Sequence, residues 1–137
     1  NAGVVKTEAE QVVVTHLVRS SVESKKAELK ERLYRLVRML GADGIDRDEY
    51  PAWAYKSDSV LRRRMVEVFK EVYGNEPQVV TIHAGLEGGI FMGKRPELDC
   101  VSIGPDLFDI HSYNERMDIK SVERTYKYLL EVLKAMK

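Results

Sequence analysis

A single cysteine, Cys100, in a chain of 137 residues excludes an internal disulfide, a zinc ribbon and any paired-cysteine redox motif. Lying in Asp99-Cys100-Val101-Ser102-Ile103, it reads as a small buried hydrophobe, and a lone thiol fits a reducing, cytoplasmic setting. Charge of one sign is also lacking. Lys+Arg is 22 and Asp+Glu is 22, so no net field favours nucleic acid or an anionic membrane surface, and neither is expected as a partner. No apolar run approaches the roughly 18–20 residues of a membrane span. An initiator methionine and a leader are missing too. The opening Asn1-Ala2-Gly3-Val4-Val5 is read as a cut inside a longer protein, with Asn1-Ala2 as a possible cloning scar. What is present is ordinary for a globular protein, 44% hydrophobic and 32% charged, enough for one domain or two small pieces of domains.

The β-branched runs Gly3-Val4-Val5-Lys6 and Gln11–Arg19 predict two strands joined across Thr7-Glu8-Ala9-Glu10. Ser20-Ser21-Val22-Glu23 has capping-box spacing. Behind it Ala27, Leu29, Leu33, Leu36, Val37 and Leu40 form a helical stripe that Gly41 ends. The opposite face, from Lys25 to Arg38, is a solvated charge run with i,i+4 pairs. Residues 42–57 are irregular, with a short edge strand possible at 50–55 and a module junction in the same place. Asp58 or Ser59 starts a second helix, striped by Leu61, Met65, Val68, Phe69 and Val72 and stopped by Gly74. Gln78–His83 and Asp99–Ile103 read as buried strands on either side of a short helix over 86–93. That βαβ pattern predicts a parallel pair covered by helices. A long helix from Ile119 to Ala135 closes the chain, striped by Val122, Tyr126, Leu129, Leu130, Leu133 and Met136.

Ligands of open α/β sheets bind outside the carboxyl ends of the strands. Two loops leave such ends here, His83–Gly89 and Gly104–Glu115. The first is rich in glycine, which lets backbone approach a ligand closely, but it lacks the Gly-Lys-Ser/Thr ending of a phosphate loop. Among the histidines, His16 sits in a strand pattern and reads as structural. His83 divides between local hydrogen bonding and a site role. His111 has Asp109 and Glu115 nearby and is a candidate metal ligand, although one histidine does not make a site. No Gly-x-Ser-x-Gly elbow supports a serine nucleophile.

Several blocks in order carry a family resemblance. They are Val80-Thr81-Ile82-His83-Ala84-Gly85-Leu86-Glu87-Gly88-Gly89-Ile90-Phe91, Val101-Ser102-Ile103-Gly104-Pro105, His111-Ser112-x-x-Glu115 and Ile119-x-Ser121-Val122. Together they resemble the C-terminal part of the Xaa-His (aminoacyl-histidine) dipeptidases, for which carnosine is the familiar substrate. Upstream, Gly3–Glu8 and Val18–Ser24 are similar to the end of that family's inserted lid. The resemblance implies an α/β chain in two parts. Residues 1–56 would be the C-terminal part of an α+β lid, and 57–137 the α-β-α-β-α end of a parallel-sheet catalytic domain. It also implies a cytoplasmic metallo-dipeptidase with two zinc ions, in which the metals lower the pKa of a bridging water and polarise the scissile carbonyl.

Within that resemblance His111 takes the role of the last metal ligand, and His83, Gly85 and Glu87 take substrate-binding roles. His83 stands where related peptidases often have a carboxylate-binding arginine. Gly88 stands where many members have cysteine. The remaining ligands of the family come from a His-x-Asp, a bridging Asp, a Glu-Glu pair and a further Asp, and a glutamate acts as its general base. This chain has no His-x-Asp and no Glu-Glu. The expectation is therefore a dipeptidase parent and an inert, self-associating 137-residue chain. The contrasting reading is a stand-alone, non-catalytic α/β module that binds a small ligand or a protein.

Overall fold

A computed structural model describes residues 1–82 and 86–137. In chain order the elements are β1 (Ala2–Thr7), β2 (Val12–His16), α1 (Glu23–Met39), α2 (Val60–Tyr73), α3 (Glu87–Lys94), β3 (Leu107–Phe108), β4 (Arg116–Met117) and α4 (Ile119–Ala135). The architecture is mixed α/β with two small antiparallel sheets, β1-β2 and β3-β4. The chain forms two compact units: Asn1–Tyr55 with Thr81–Pro96, and Lys56–Val80 with Glu97–Lys137.

In the first unit the valine-rich runs pair as a hairpin, from Ala2 opposite His16 to Thr7 opposite Val12, with a register shift between Ala2 and Val4. The amide of Glu8 donates to the Gln11 carbonyl at 2.8 Å and closes the turn. Val4, Val5, Val12, Val13 and Val14 are all exposed, so the ribbon is bare on both faces. The helix α1 is capped two residues later than expected from Ser20. Its N-cap is Val22, without a side-chain acceptor, and the Ser20 hydroxyl accepts from the Val22 amide at 3.1 Å. The capping box fails because Glu23 is engaged elsewhere, accepting from the Ala52 amide at 2.8 Å and pairing with Lys26 at 2.8 Å.

Residues 43–52 run back along α1 on an ionic track. Lys30 reaches Asp46 at 2.8 Å and Glu49 at 3.0 Å, and the buried Lys26 ammonium donates to the Tyr50 carbonyl at 2.6 Å. Gly44 lies so close to the Tyr34 ring that a β-carbon there would meet Cε1 at 3.0 Å. The edge strand considered at 50–55 does not form.

The core of the second unit is α2 on α4. Met65, Val68, Tyr128 and Val132 are buried, with Leu61, Phe69, Tyr73, Val101 and Ala135 packed around them. Tyr128 sits edge-on to Phe69, with ring centroids 5.4 Å apart, and its hydroxyl donates to the Met65 carbonyl at 2.7 Å. Such a satisfied hydroxyl removes the cost of burying a phenol. Ser59 caps α2 by accepting from Arg62 N at 2.9 Å. Gly74 ends it in the left-handed region at φ 71°, as its position after the stripe predicts. From the side, Asp99 Oδ2 accepts the Leu61 amide at 2.9 Å.

Two expectations need correction. No parallel pair exists among the described residues: 78–82 and 99–103 form no ladder. A β-prone run becomes a strand only when a partner backbone lies beside it, and these runs have none here. The buried face of α4 is also not the predicted stripe. Ser121, Tyr128 and Val132 are buried, while Leu129, Leu133 and Met136 are exposed.

Candidate functional site

The backbone from Gly104 to Asp118 is held against the first turn of α4. Ser121, fully buried, accepts from the Asp106 amide at 2.8 Å and donates to the Asp118 carbonyl at 2.6 Å. The Asp118 amide returns a bond to the Asp106 carbonyl at 3.0 Å. Asp118 also caps α4, accepting from the Lys120 amide at 3.0 Å. Arg124, one turn on from Ser121, pairs with the Asp106 carboxylate at 2.7 Å. From this base rises a miniature hairpin, Leu107 opposite Met117 and Phe108 opposite Arg116.

The hairpin presents the loop 109–115, and the loop is strained. Asp109 has φ 52° and His111 φ 65°. Left-handed backbone at a non-glycine residue costs about 1–3 kcal/mol and persists only where the surroundings impose it. Here they do. The Ser112 amide and hydroxyl both donate to the Asp109 carbonyl, at 3.1 and 2.6 Å. The Ser112 hydroxyl also accepts from the Asn114 amide at 3.1 Å. Glu115 Oε2 accepts the His111 amide at 2.8 Å. Asp109 is ion-paired with Arg116, whose guanidinium lies 5.2 Å from the centre of the Phe108 ring.

His111 is thus an exposed residue on a stiff turn. Among the described residues no hydrogen bond engages its imidazole. The two carboxylates beside it in sequence do not converge on it as ligands, because Asp109 faces Arg116 and Glu115 holds backbone. No group of three His, Cys, Asp or Glu side chains among the described residues is placed to hold a metal ion. The residues present do not fit a complete zinc site. At most they offer one ligand.

Of the other residues singled out from sequence, Glu87 is the exposed first residue of α3, after an extended Leu86. It belongs to the first unit and His111 to the second. His83 and Gly85 lie outside the described residues. The second unit also has a groove of about 350 Å³ bordered by Phe69, Tyr73, Ile103 and Tyr128, with the Arg124–Asp106 pair at its edge. Neither His111 nor Glu87 lines it. The supporting roles of Ser121 and Asp118 escaped the sequence reading. A serine two residues into a helix, three after an aspartate, was the available signal.

Residues 6–135 match the sequence profile of Peptidase family M20/M25/M40. The chain is 34% identical over 134 residues to the cytosol non-specific dipeptidase of Escherichia coli (strain K12). That alignment takes in 98% of this chain and 28% of the relative, so the chain spans less than a third of the length of the curated protein it matches.

Proposed function

Since this chain belongs to peptidase family M20/M25/M40, we propose that it is the C-terminal portion of a di-zinc dipeptidase that hydrolyses Xaa-His dipeptides such as carnosine in the cytoplasm. The observation that carries this reading is the His111 turn, a left-handed histidine fixed through its own amide by Glu115. Strain imposed on an exposed polar residue is characteristic of sites that must present a side chain in one place. The relative's printed name, a dipeptidase, supports the substrate class.

On this reading His111 contributes one metal ligand. His83, Gly85 and Glu87 contact substrate. The other ligands and the general base come from parts of the protein that this chain does not contain, so no bond-breaking step is assigned to its residues. Residues 1–56 are the end of a lid and 57–137 the end of the catalytic domain.

The test uses the full-length protein that carries this chain. With zinc added, it should hydrolyse carnosine and other Xaa-His dipeptides. His111→Ala should remove most of that turnover and lower the bound zinc by one equivalent, since a lost ligand removes much of a metal's binding energy. Wild-type zinc content and kcat in the variant would refute the ligand assignment. Hydrolysis confined to dipeptides lacking histidine would refute the specificity. No hydrolysis at all would favour the non-catalytic module.

A further inference from the structure

Two features have no place in the reading above: a buried lysine on α1, and glycine at position 88. They meet at one residue, Trp53. The first turn of α3 carries Gly88 and Gly89, with Gly93 further along, and residues 51–53 occupy that glycine face. A β-carbon at position 88 would fall 2.7 Å from Cη2, 2.8 Å from Cζ3 and 2.9 Å from Cζ2 of the Trp53 ring. At position 89 it would meet the Pro51 carbonyl oxygen at 3.1 Å and the Trp53 β-carbon at 3.4 Å, and at position 93 the Pro51 ring at 3.4 Å. Separations under 3.0 Å to three ring atoms leave no room for any side chain at 88 while the indole stays where it is.

The segment bearing Trp53 is itself clipped to α1 on either side of Pro51. The Lys26 ammonium donates to the Tyr50 carbonyl at 2.6 Å, and Glu23 accepts the Ala52 amide at 2.8 Å. The two side chains pair with each other at 2.8 Å, which gives the buried lysine its counter-charge. The carboxyl of Glu23 is held below the usual glutamate range, first by the Lys26 bond and then by the Ala52 amide. A buried charge is tolerable only when paired and hydrogen-bonded in this way.

We infer that Trp53 is a positioning residue: seated on the Gly88–Gly89 face and anchored to α1 by Glu23 and Lys26, it fixes the turn that carries Glu87. This rests on the reading above in one respect, that the Glu87 turn contacts substrate. Glycine at position 88 then has a physical account, because a β-carbon there would collide with the ring. Trp53 touches no reacting atom. It acts through the placement of α3.

Trp53 is the sole tryptophan, so its fluorescence reports the seat directly in the 137-residue chain. Gly88→Ala and Gly88→Cys should displace the indole, moving emission to longer wavelength and raising acrylamide quenching. Lys26→Met, which keeps an apolar stem, should do the same. Gly104→Ala, where a β-carbon meets nothing within 4 Å, should leave both unchanged. The ring current of Trp53 should also shift the Gly88 α-protons upfield, and Trp53→Leu should remove that shift. Unchanged emission and quenching in Gly88→Ala at wild-type helix content would overturn the seat. In the full-length protein Trp53→Phe should raise KM severalfold with kcat and zinc content less affected. An unchanged KM alongside a displaced indole would overturn the positioning role. If wild type shows no dipeptide hydrolysis, the functional reading fails with its substrate clause, and the fluorescence arm still decides the seat.

Discussion

Replacing Ser121 by alanine isolates the joint on which the His111 hairpin stands. The hydroxyl is fully buried and serves two backbones at once, accepting from Asp106 N at 2.8 Å and donating to Asp118 O at 2.6 Å. The Asp118 carbonyl keeps a second donor after the change, the Ser121 amide at 3.0 Å. The Asp106 amide keeps none among the described residues. The loss is therefore that of one donor stranded beside a packed helix, worth about 2 kcal/mol within a range of about 1–3. The void left is smaller than a methyl group and adds little. With a urea slope near 2 kcal/mol per M, the unfolding midpoint should fall by about 1 M. Amide exchange at Asp106 should quicken by more than at Leu61 or Arg62, whose amides keep their Asp99 and Ser59 partners. Ser102→Ala, at an exposed position, should stay within about 0.5 kcal/mol of wild type. A midpoint shift for Ser121→Ala no larger than that of Ser102→Ala would refute the reasoning, because the hydroxyl would then bear none of the loop's stability.

Three further outcomes can be measured on the same chain. Burial pushes the Asp99 carboxyl up, but the Ser59 hydroxyl, the Leu61 amide, the Lys56 charge and the Val60 amide outweigh it and hold the group below the usual aspartate range. A depressed folded value means stability that is present above the unfolded pKa and lost as pH falls through the folded one. Urea midpoints of Asp99→Asn should thus fall less steeply with acid than those of wild type, and parallel curves would contradict this. The 137-residue chain should not hydrolyse Xaa-His dipeptides with or without zinc, and turnover that a chelator abolishes would sink that expectation. It should self-associate, since Val5, Val12, Leu40, Leu133 and Met136 are all more than half exposed and the hairpin edges are unpaired. A single monomeric species in the ultracentrifuge across roughly 10–200 µM, the range that brackets weak association, would count against it.

Helix limits were the most legible part of the fold because local chemistry sets them. Ser59 and Gly74 bound α2 where their types predict, and α4 runs from Ile119 to Ala135 as its period requires. Strands were less legible. The valines of 78–82 state a preference for extended backbone, and a preference becomes a ladder only with a neighbour. The buried face of α4 was misread for a different reason. Its inward face packs Tyr128 and Val132 on α2 and bonds Ser121 to Asp106 and Asp118 and Thr125 to Gly104, at spacings of four, three and four. Two of those are hydroxylated and small, so counting apolar residues selects the opposite stripe. Packing selected the face on which a serine fits without a gap and a tyrosine finds an acceptor. A helix apolar on two sides has one side more than its present partner can cover.

The candidate site shows the same division. The role proposed for His111 rests on a residue type in a motif, which the sequence displays. Its backbone state was not legible there, since nothing in His-Ser-Tyr-Asn-Glu announces a left-handed histidine. The conformation is imposed by the Glu115 bond to the His111 amide, closed by a hairpin only two residues deep on each strand and by the Asp109–Arg116 pair at its loop end. This also explains why Asp109 and Glu115, promising as ligands when read beside His111 in sequence, do not serve as such. A carboxylate that accepts a backbone amide or pairs with a guanidinium has already met its electrostatic need, and drawing it onto a metal would release the turn that holds the histidine. The acids nearest in sequence are therefore the ones that keep His111 in place. If His111 serves as a ligand, its fellow ligands must come from elsewhere, since neither acid beside it in sequence is placed to join it.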